Sequence, residues 1–167
     1  TRTTTNAYIV GGAVRDLCLS HSVHDLDIIT EGDSRAFGLE LAKALAGTIK
    51  AVSQFGTVKL DLLGHYVDIA EARKEHYPYP GALPRVKPAN IHTDLLRRDF
   101  TINAMAISLQ QSSLGALVTV ERSADDIAGK VIRVLHRQSF QDDATRLMRA
   151  VRYEQRFEFR LEKETEA

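Results

Sequence analysis

Between Thr48 and Ala70 the chain reads as three short strands, Thr48–Ser53, Thr57–Leu63 and Tyr66–Ala70, with Gly56 and Gly64 at the joints. Strand-forming runs this short, parted by glycines at turn positions, predict a small antiparallel meander. The flanking segments must therefore build on a sheet. Tyr8-Ile9-Val10 is a strand that ends in Gly11-Gly12 and leads into a helical stretch from Ala13 to Leu19. His24 to Thr30, with β-branched Ile28 and Ile29, is a further strand. Asp33 or Ser34 caps a helix that runs to Ala46, with Phe37, Leu41 and Leu45 at spacing four, and Gly47 stops it. Strands and helices alternate irregularly, which places the chain in the α/β (α+β) class.

Downstream, Glu71 to Ile91 holds all four prolines together with Gly81 and reads as a long loop, a feature that in a compact domain is usually functional or mobile. Thr93 caps a predicted helix from Asp94 to Ala106. Val131–Leu135 is a strand, and Asp142 to Arg156 is helical, with Leu147 and Val151 on an apolar stripe beside Met148. An Arg-rich helix finishing near the terminus is expected to continue into something else. At 167 residues the chain is one domain or one domain with an appendage. Its 22 basic side chains balance 22 acidic ones, which argues against a stand-alone nucleic-acid binder but leaves a local basic face open. The single Cys18 excludes an internal disulfide framework. No apolar run approaches the ~20 residues of a membrane span, so a soluble, cytoplasmic protein is expected.

Chemistry enters at four places. Gly11-Gly12 at a strand-to-helix junction lets a backbone come close to a ligand, and the amides opening the helix favour an anion; the same pair also serves as an ordinary turn. Arg15 and Asp16 sit one turn on. Asp25-Leu26-Asp27 puts two carboxylates on one face of a strand, either as solvated acids or as ligands of a cation that holds both ionised. Asp68, flanked by Val67 and Ile69 facing the other way, supplies a third carboxylate if its strand lies beside the first. Three carboxylates can hold two Mg²⁺ ions, the arrangement that stabilises attacking and leaving oxygens in phosphoryl transfer. Arg97-Arg98-Asp99-Phe100-Thr101-Ile102-Asn103-Ala104 offers Arg for phosphate and Asp99 with Asn103, four apart on a predicted helix, for sugar hydroxyls. In Asp142–Tyr153, Asp143 and Arg146 are three apart, as an intrahelical ion pair or as a carboxylate and a fork of donors that read a base edge.

These strings resemble a known family. Gly11–Asp16 (GGAVRD), Asp25-Leu26-Asp27, Arg97–Ala104 (RRDFTINA) and Asp143 with Arg146 are similar, in order, to the motifs of class II tRNA nucleotidyltransferases and bacterial poly(A) polymerases. The resemblance implies a DNA polymerase beta-like nucleotidyltransferase head over residues 1–138, a mixed sheet with flanking helices, and the start of a helical neck over 139–167. It implies that Asp25 and Asp27 bind Mg²⁺ with Asp68 as third carboxylate, and that Gly11, Gly12 and Arg15 contact triphosphate. Arg98, Asp99 and Asn103 would contact sugar and phosphates. Asp143 and Arg146 would select C or A, supported by Arg149 and Arg152. The stretch from Glu71 to Ile91, with Arg73 and Tyr77, resembles the family's flexible loop. Substrates would be CTP and/or ATP and the tRNA 3′ end, with body and tail domains elsewhere holding the tRNA. Two departures stand out: Asp142 and Ala144 replace the Glu and Pro usual in the fourth motif, and Val118–Ser123 replaces a Gly-rich turn. Poly(A) polymerases share these motifs, and a module that has lost catalysis is the reading from another class. The presence of all three carboxylates separates an enzyme from the latter.

Overall fold

The computed structural model describes residues 5–54 and 56–166. Strand β1 (Asn6–Val10) runs into helix α1 (Gly12–Cys18), followed by β2 (Leu26–Glu31) and α2 (Ser34–Ala44). Asp33 caps α2 by accepting from the amides of Arg35 and Ala36. Then come β3 (Thr48–Val52), β4 (Val58–Leu62) and β5 (His65–Glu71), each antiparallel to the next, as the meander predicted. After them stand a two-stranded ribbon, β6 (Arg73–His76) and β7 (Arg85–Pro88), and helix α3 (Ile91–Leu96). A 3-10 turn (Thr101–Asn103) leads to β8 (Met105–Ser108), β9 (Leu117–Thr119), α4 (Ser123–Ala128) and β10 (Val131–Ile132). The chain closes with α5 (Ser139–Asp142), α6 (Thr145–Phe157), β11 (Arg160–Leu161) and α7 (Lys163–Glu166).

Seven strands form one sheet in the order β3-β4-β5-β2-β1-β8-β9. β2 and β5 run parallel while the other neighbours are antiparallel, so the expected mixed sheet is present. Alternation along the strands sends two apolar sets to opposite faces. Ala7, Ile28, Val58, Leu60, Val67 and Ile69 pack with Ala42 of α2 on one face. Tyr8, Val10, Ile29 and Ala106 pack with Ile91 and Leu95 of α3 on the other. Leu60 and Ile69 are fully buried, each contributing about 1.5–3 kcal/mol of transfer free energy.

Two predicted elements differ. The Glu71–Ile91 stretch is not loop throughout, since β6 and β7 pair within it and only residues 77–84 connect them. The predicted helix from Asp94 to Ala106 ends at Leu96 and is capped by Asn90 rather than Thr93; the Asn90 side chain accepts from the Thr93 amide at 2.9 Å. Asp99 then captures the Phe100 amide at 2.8 Å, a side-chain bond that competes with helix continuation. Met105 and Ala106, each at most 1% exposed, open β8, where only Ile107 is part-exposed. The apolar stripe expected on the last long helix is also displaced. Leu147, Met148 and Val151 are about half or more exposed, and the inward face of α6 is Arg146, Ala150, Tyr153 and Phe157.

That inward face completes a third core with Phe100, Ile102, Ile132 and Phe159. Glu158 adopts a left-handed conformation after α6, and β11 returns to pair in parallel with β10. Residues on both sides of the expected boundary at 138/139 thus share one apolar cluster.

Candidate active site

A cleft of about 760 Å³ opens where β1 gives way to α1. The chain needs a positive φ there, 68° at Gly11, and a Cβ at that position would stand 2.8 Å from Nη1 of Arg98. Glycine is therefore required both by the turn and by the close approach of an arginine. Gly11, Gly12, Asp27, Arg98, Asp99, Asn103, Asp143, Arg146 and Arg149 all line this cleft. Four separated motifs thus meet at one place.

The acidic end is set by strand register. Asp27 of β2 stands directly beside Asp68 of β5, and Lys59 of β4 stands beside Asp68 in turn; Lys59 Nζ lies 3.5 Å from Asp68 Oδ2. The other Asp68 oxygen, Oδ1, is buried without a hydrogen-bond partner. Burial first, and then the neighbouring Asp68 and Asp25 charges, hold the Asp27 carboxyl above its usual range, against the opposing pull of Arg98 and Lys59. A pair of adjacent carboxylates with an orphaned oxygen fits a hard cation. Asp25 precedes β2, is exposed and lies outside the cleft lining. Among the described residues no three acids, imidazoles or thiols are gathered tightly enough to form a metal cage.

Opposite the acids, one buried carboxylate organises two arginines. Asp94, with no exposed surface, accepts from Arg97 Nε at 2.9 Å and the Arg73 amide at 3.1 Å on Oδ1, and from Arg98 Nη2 at 3.0 Å on Oδ2. Arg97 also reaches Glu75 at 3.1 Å, and Glu75 takes Arg73 Nε at 3.1 Å and the Tyr77 hydroxyl at 2.9 Å. Burial, then the hydrogen bond to Glu75, push the Tyr77 phenol up to about 12, so it remains a donor. Arg98 Nε is buried and unpartnered, and this side chain lies between Gly11 and Asp27, where an anion would complete it.

The helix expected to carry Asp99 and Asn103 is absent, yet the two still meet: Asn103 Nδ2 donates to Asp99 Oδ1 at 3.0 Å across the turn. Asp99 Oδ2 accepts from Arg149 Nε at 2.7 Å. Arg15 does not line the cleft. It is 4% exposed, donates to Asn103 Oδ1 at 2.6 Å and Asp16 Oδ1 at 2.9 Å, and lies over the Phe157 and Tyr153 rings at 4.5 and 5.3 Å. Its guanidinium is engaged in holding Asn103 and Asp16.

Asp143 and Arg146 do not form the expected side-chain pair. The Asp143 carboxylate accepts from the amide and hydroxyl of Thr145 at 2.9 and 2.6 Å. Burial works to raise this carboxyl, but those bonds and the charges of Arg146 and Arg149 leave it below its usual range. Arg146 is anchored by Ser139 Oγ at 2.6 Å and by the Arg97 carbonyl at 3.0 Å. Both side chains face the cleft as separately held groups. Arg152 lies on the exposed side of α6 and does not line the cleft.

Two cleft-supporting groups, Asp94 and Glu75, are not marked by the sequence motifs, while Tyr77 belongs to the loop-like stretch the resemblance points to. Asp94 was legible in principle, because its three- and four-residue spacing to Arg97 and Arg98 is that of helical ion pairs. Glu75 carried no such signal, since its role comes from the fold of the ribbon.

Residues 7–133 match the model of the poly A polymerase head domain, and the chain belongs to that family. It is 44% identical over 96% of its length to an A-adding tRNA nucleotidyltransferase of Aquifex aeolicus, of which it spans 19%. A solved CCA-adding enzyme in an apo form is 44% identical with a TM-score of 0.91, covering 97% of this chain and 38% of that one. A tRNA nucleotidyltransferase complexed with a primer tRNA and an incoming ATP analog is 39% identical with a TM-score of 0.86, covering 97% and 45%. The chain therefore spans less than half the length of these relatives. No helix among the described residues is long and apolar enough to cross a membrane.

Proposed function

We propose that this chain is the catalytic part of an enzyme that transfers nucleotidyl groups from CTP and/or ATP to the 3′ end of tRNA, without a nucleic-acid template. The observation that carries the reading is Asp27, which lines one cleft with Gly11 and Arg98 and stands beside Asp68, just behind the cleft lining, in the adjacent strand. Asp27 and Asp68, with Asp25 drawn in from the segment before β2, would hold Mg²⁺. The ion would supply charge neutralisation on the triphosphate and lower the pKa of the attacking 3′-hydroxyl. Arg98, already oriented by Asp94, takes a phosphate oxygen with its free Nε. Asp99 and Asn103, braced by Arg149 and Arg15, present hydrogen-bonding groups at sugar height. At the far end Asp143 accepts and Arg146 donates, which suits the amino group and ring acceptors of a base. Relatives bear names for A-adding, CC-adding and CCA-adding activity, and the match to a CCA-adding enzyme at the same 44% identity leaves the added nucleotides to experiment.

The test uses the full-length gene product on tRNA transcripts ending before CCA, after C and after CC. Each receives CTP or ATP with Mg²⁺, and products are sized at single-nucleotide resolution. Stepwise addition that stops at the correct end is expected. Long A-tails on unrelated RNA would place the protein with the poly(A) polymerases, and no incorporation would leave a binding module.

A further inference from the structure

The ribbon formed by β6 and β7 has two unlike faces. Lys74 stands opposite Lys87 and His76 opposite Arg85. Directly opposed residues project from the same side, and residues two apart on a strand share it, so these four occupy one face. All four are exposed, and among the described residues none makes an ion pair or side-chain hydrogen bond. The opposite face carries Arg73 and Glu75, which line the cleft and pair with each other at 2.9 Å.

Lys74 and Lys87 are opposed like charges, which destabilise a strand pair, and the chain has enough acids to neutralise them and Arg85, 22 against 22 basic groups. None is placed on this face. The two cross-strand rungs lie ~6.6 Å apart along the ribbon, close to the step between neighbouring phosphates of an extended strand. Val86, the apolar residue of β7, is paired with Glu75 on the inner face, so the outer face offers cations without an apolar anchor for a membrane. The inner face of the same ribbon is a wall of the cleft into which an RNA end must pass.

We propose that the outer face of this ribbon is a separate contact site for the sugar–phosphate backbone of the RNA substrate, next to the cleft that receives its 3′ end. The inference rests on the transferase reading above. It assigns the ribbon a double role, with nucleotide on one face and the incoming strand on the other.

The test compares the full-length protein with the double variant Lys74→Gln/Lys87→Gln and with Lys43→Gln, a control on α2 across the sheet. Binding of a tRNA transcript ending before CCA is measured at several salt concentrations, alongside KM for RNA, KM for nucleotide and kcat. In the double variant KM for RNA should rise about tenfold, and the slope of log K against log salt should shrink by about 1.4, at ~0.7 per phosphate contact. The nucleotide KM, kcat and the control should stay unchanged. Unaltered RNA affinity and slope, an equal loss in the control, or a rise in nucleotide KM instead would each overturn the proposal. Wild-type protein that binds the transcript but extends none would defeat the transferase reading alone, and the salt slope would still decide the ribbon.

Discussion

Asp27 illustrates how a single carboxylate can be set against the fold that holds it. Its side chain is open to solvent at the cleft, yet partial desolvation by the surrounding protein, with the Asp68 and Asp25 charges beside it, raises its folded pKa; the unfolded chain has no such constraint, and solvent screening keeps the effect on stability small. Its contribution to stability is therefore complete below the unfolded carboxylate pKa and is lost as pH rises through the folded one. At neutral pH, Asp27→Asn should raise the melting temperature of the cation-free protein while abolishing transfer. Millimolar Mg²⁺ should raise the wild-type Tm and leave the variant's alone; a variant that melts lower than wild type would contradict the linkage. Asp94 is the opposite case, a buried acid whose partners are all in place. Asp94→Asn leaves one oxygen for two arginines and should cost roughly 1–3 kcal/mol. It should also raise the nucleotide KM more than it lowers kcat, read from a urea melt and steady-state kinetics. Much of this was readable beforehand, because strand alternation fixes which face Asp27 and Asp68 share. The burial of Arg15 was not, since its partner Asn103 lies 88 residues away and Tyr153 further still.

Among the elements, α6 carries the largest difference between pattern and packing. Its sequence places Leu147 and Val151 on an apolar stripe, but the helix turns Tyr153 and Phe157 inward instead, because Phe100 and Phe159 await them there. Phe157→Ala should cost about 3–5 kcal/mol, while Met148→Ala, on the exposed side, should stay within about 0.5 kcal/mol; thermal denaturation of the two variants separates these outcomes. The 91–108 segment shows a similar limit. A helical reading of Asp94–Ala106 counts propensities, whereas the β8 register is imposed by β1 on one side and β9 on the other. The meander, by contrast, was specified locally by Gly56 and Gly64 and needed no distant partner.

For the molecule as a whole, the expected division into a head ending at 138 and a neck beginning at 139 meets a shared core. Ala150, Tyr153, Phe157 and Phe159 bury against Phe100, Ile102 and Ile132, and Arg149 reaches Asp99 at 2.6 Å. Residues 1–167 should unfold cooperatively, and a chain truncated after 138 should lose that transition, as followed by near-UV circular dichroism; a sharp, undiminished transition in the truncated chain would establish the head as independent. The motifs made the family and the sheet legible. What they left unseen was this closure, in which the chain's last strand returns to β10 and the cleft gains its arginine wall.

Lys59 gives the acidic pair a tenant of its own. With an ammonium 3.5 Å from Asp68, a divalent ion entering the site competes with a tethered cation rather than filling an empty socket. On the transferase reading proposed above, such competition would suit an ion that is bound together with nucleotide rather than held permanently. Protein dialysed against a chelator should accordingly melt at the midpoint of the cation-free form, still cooperatively, and activity should return on the addition of magnesium salt and nucleotide, with no refolding lag.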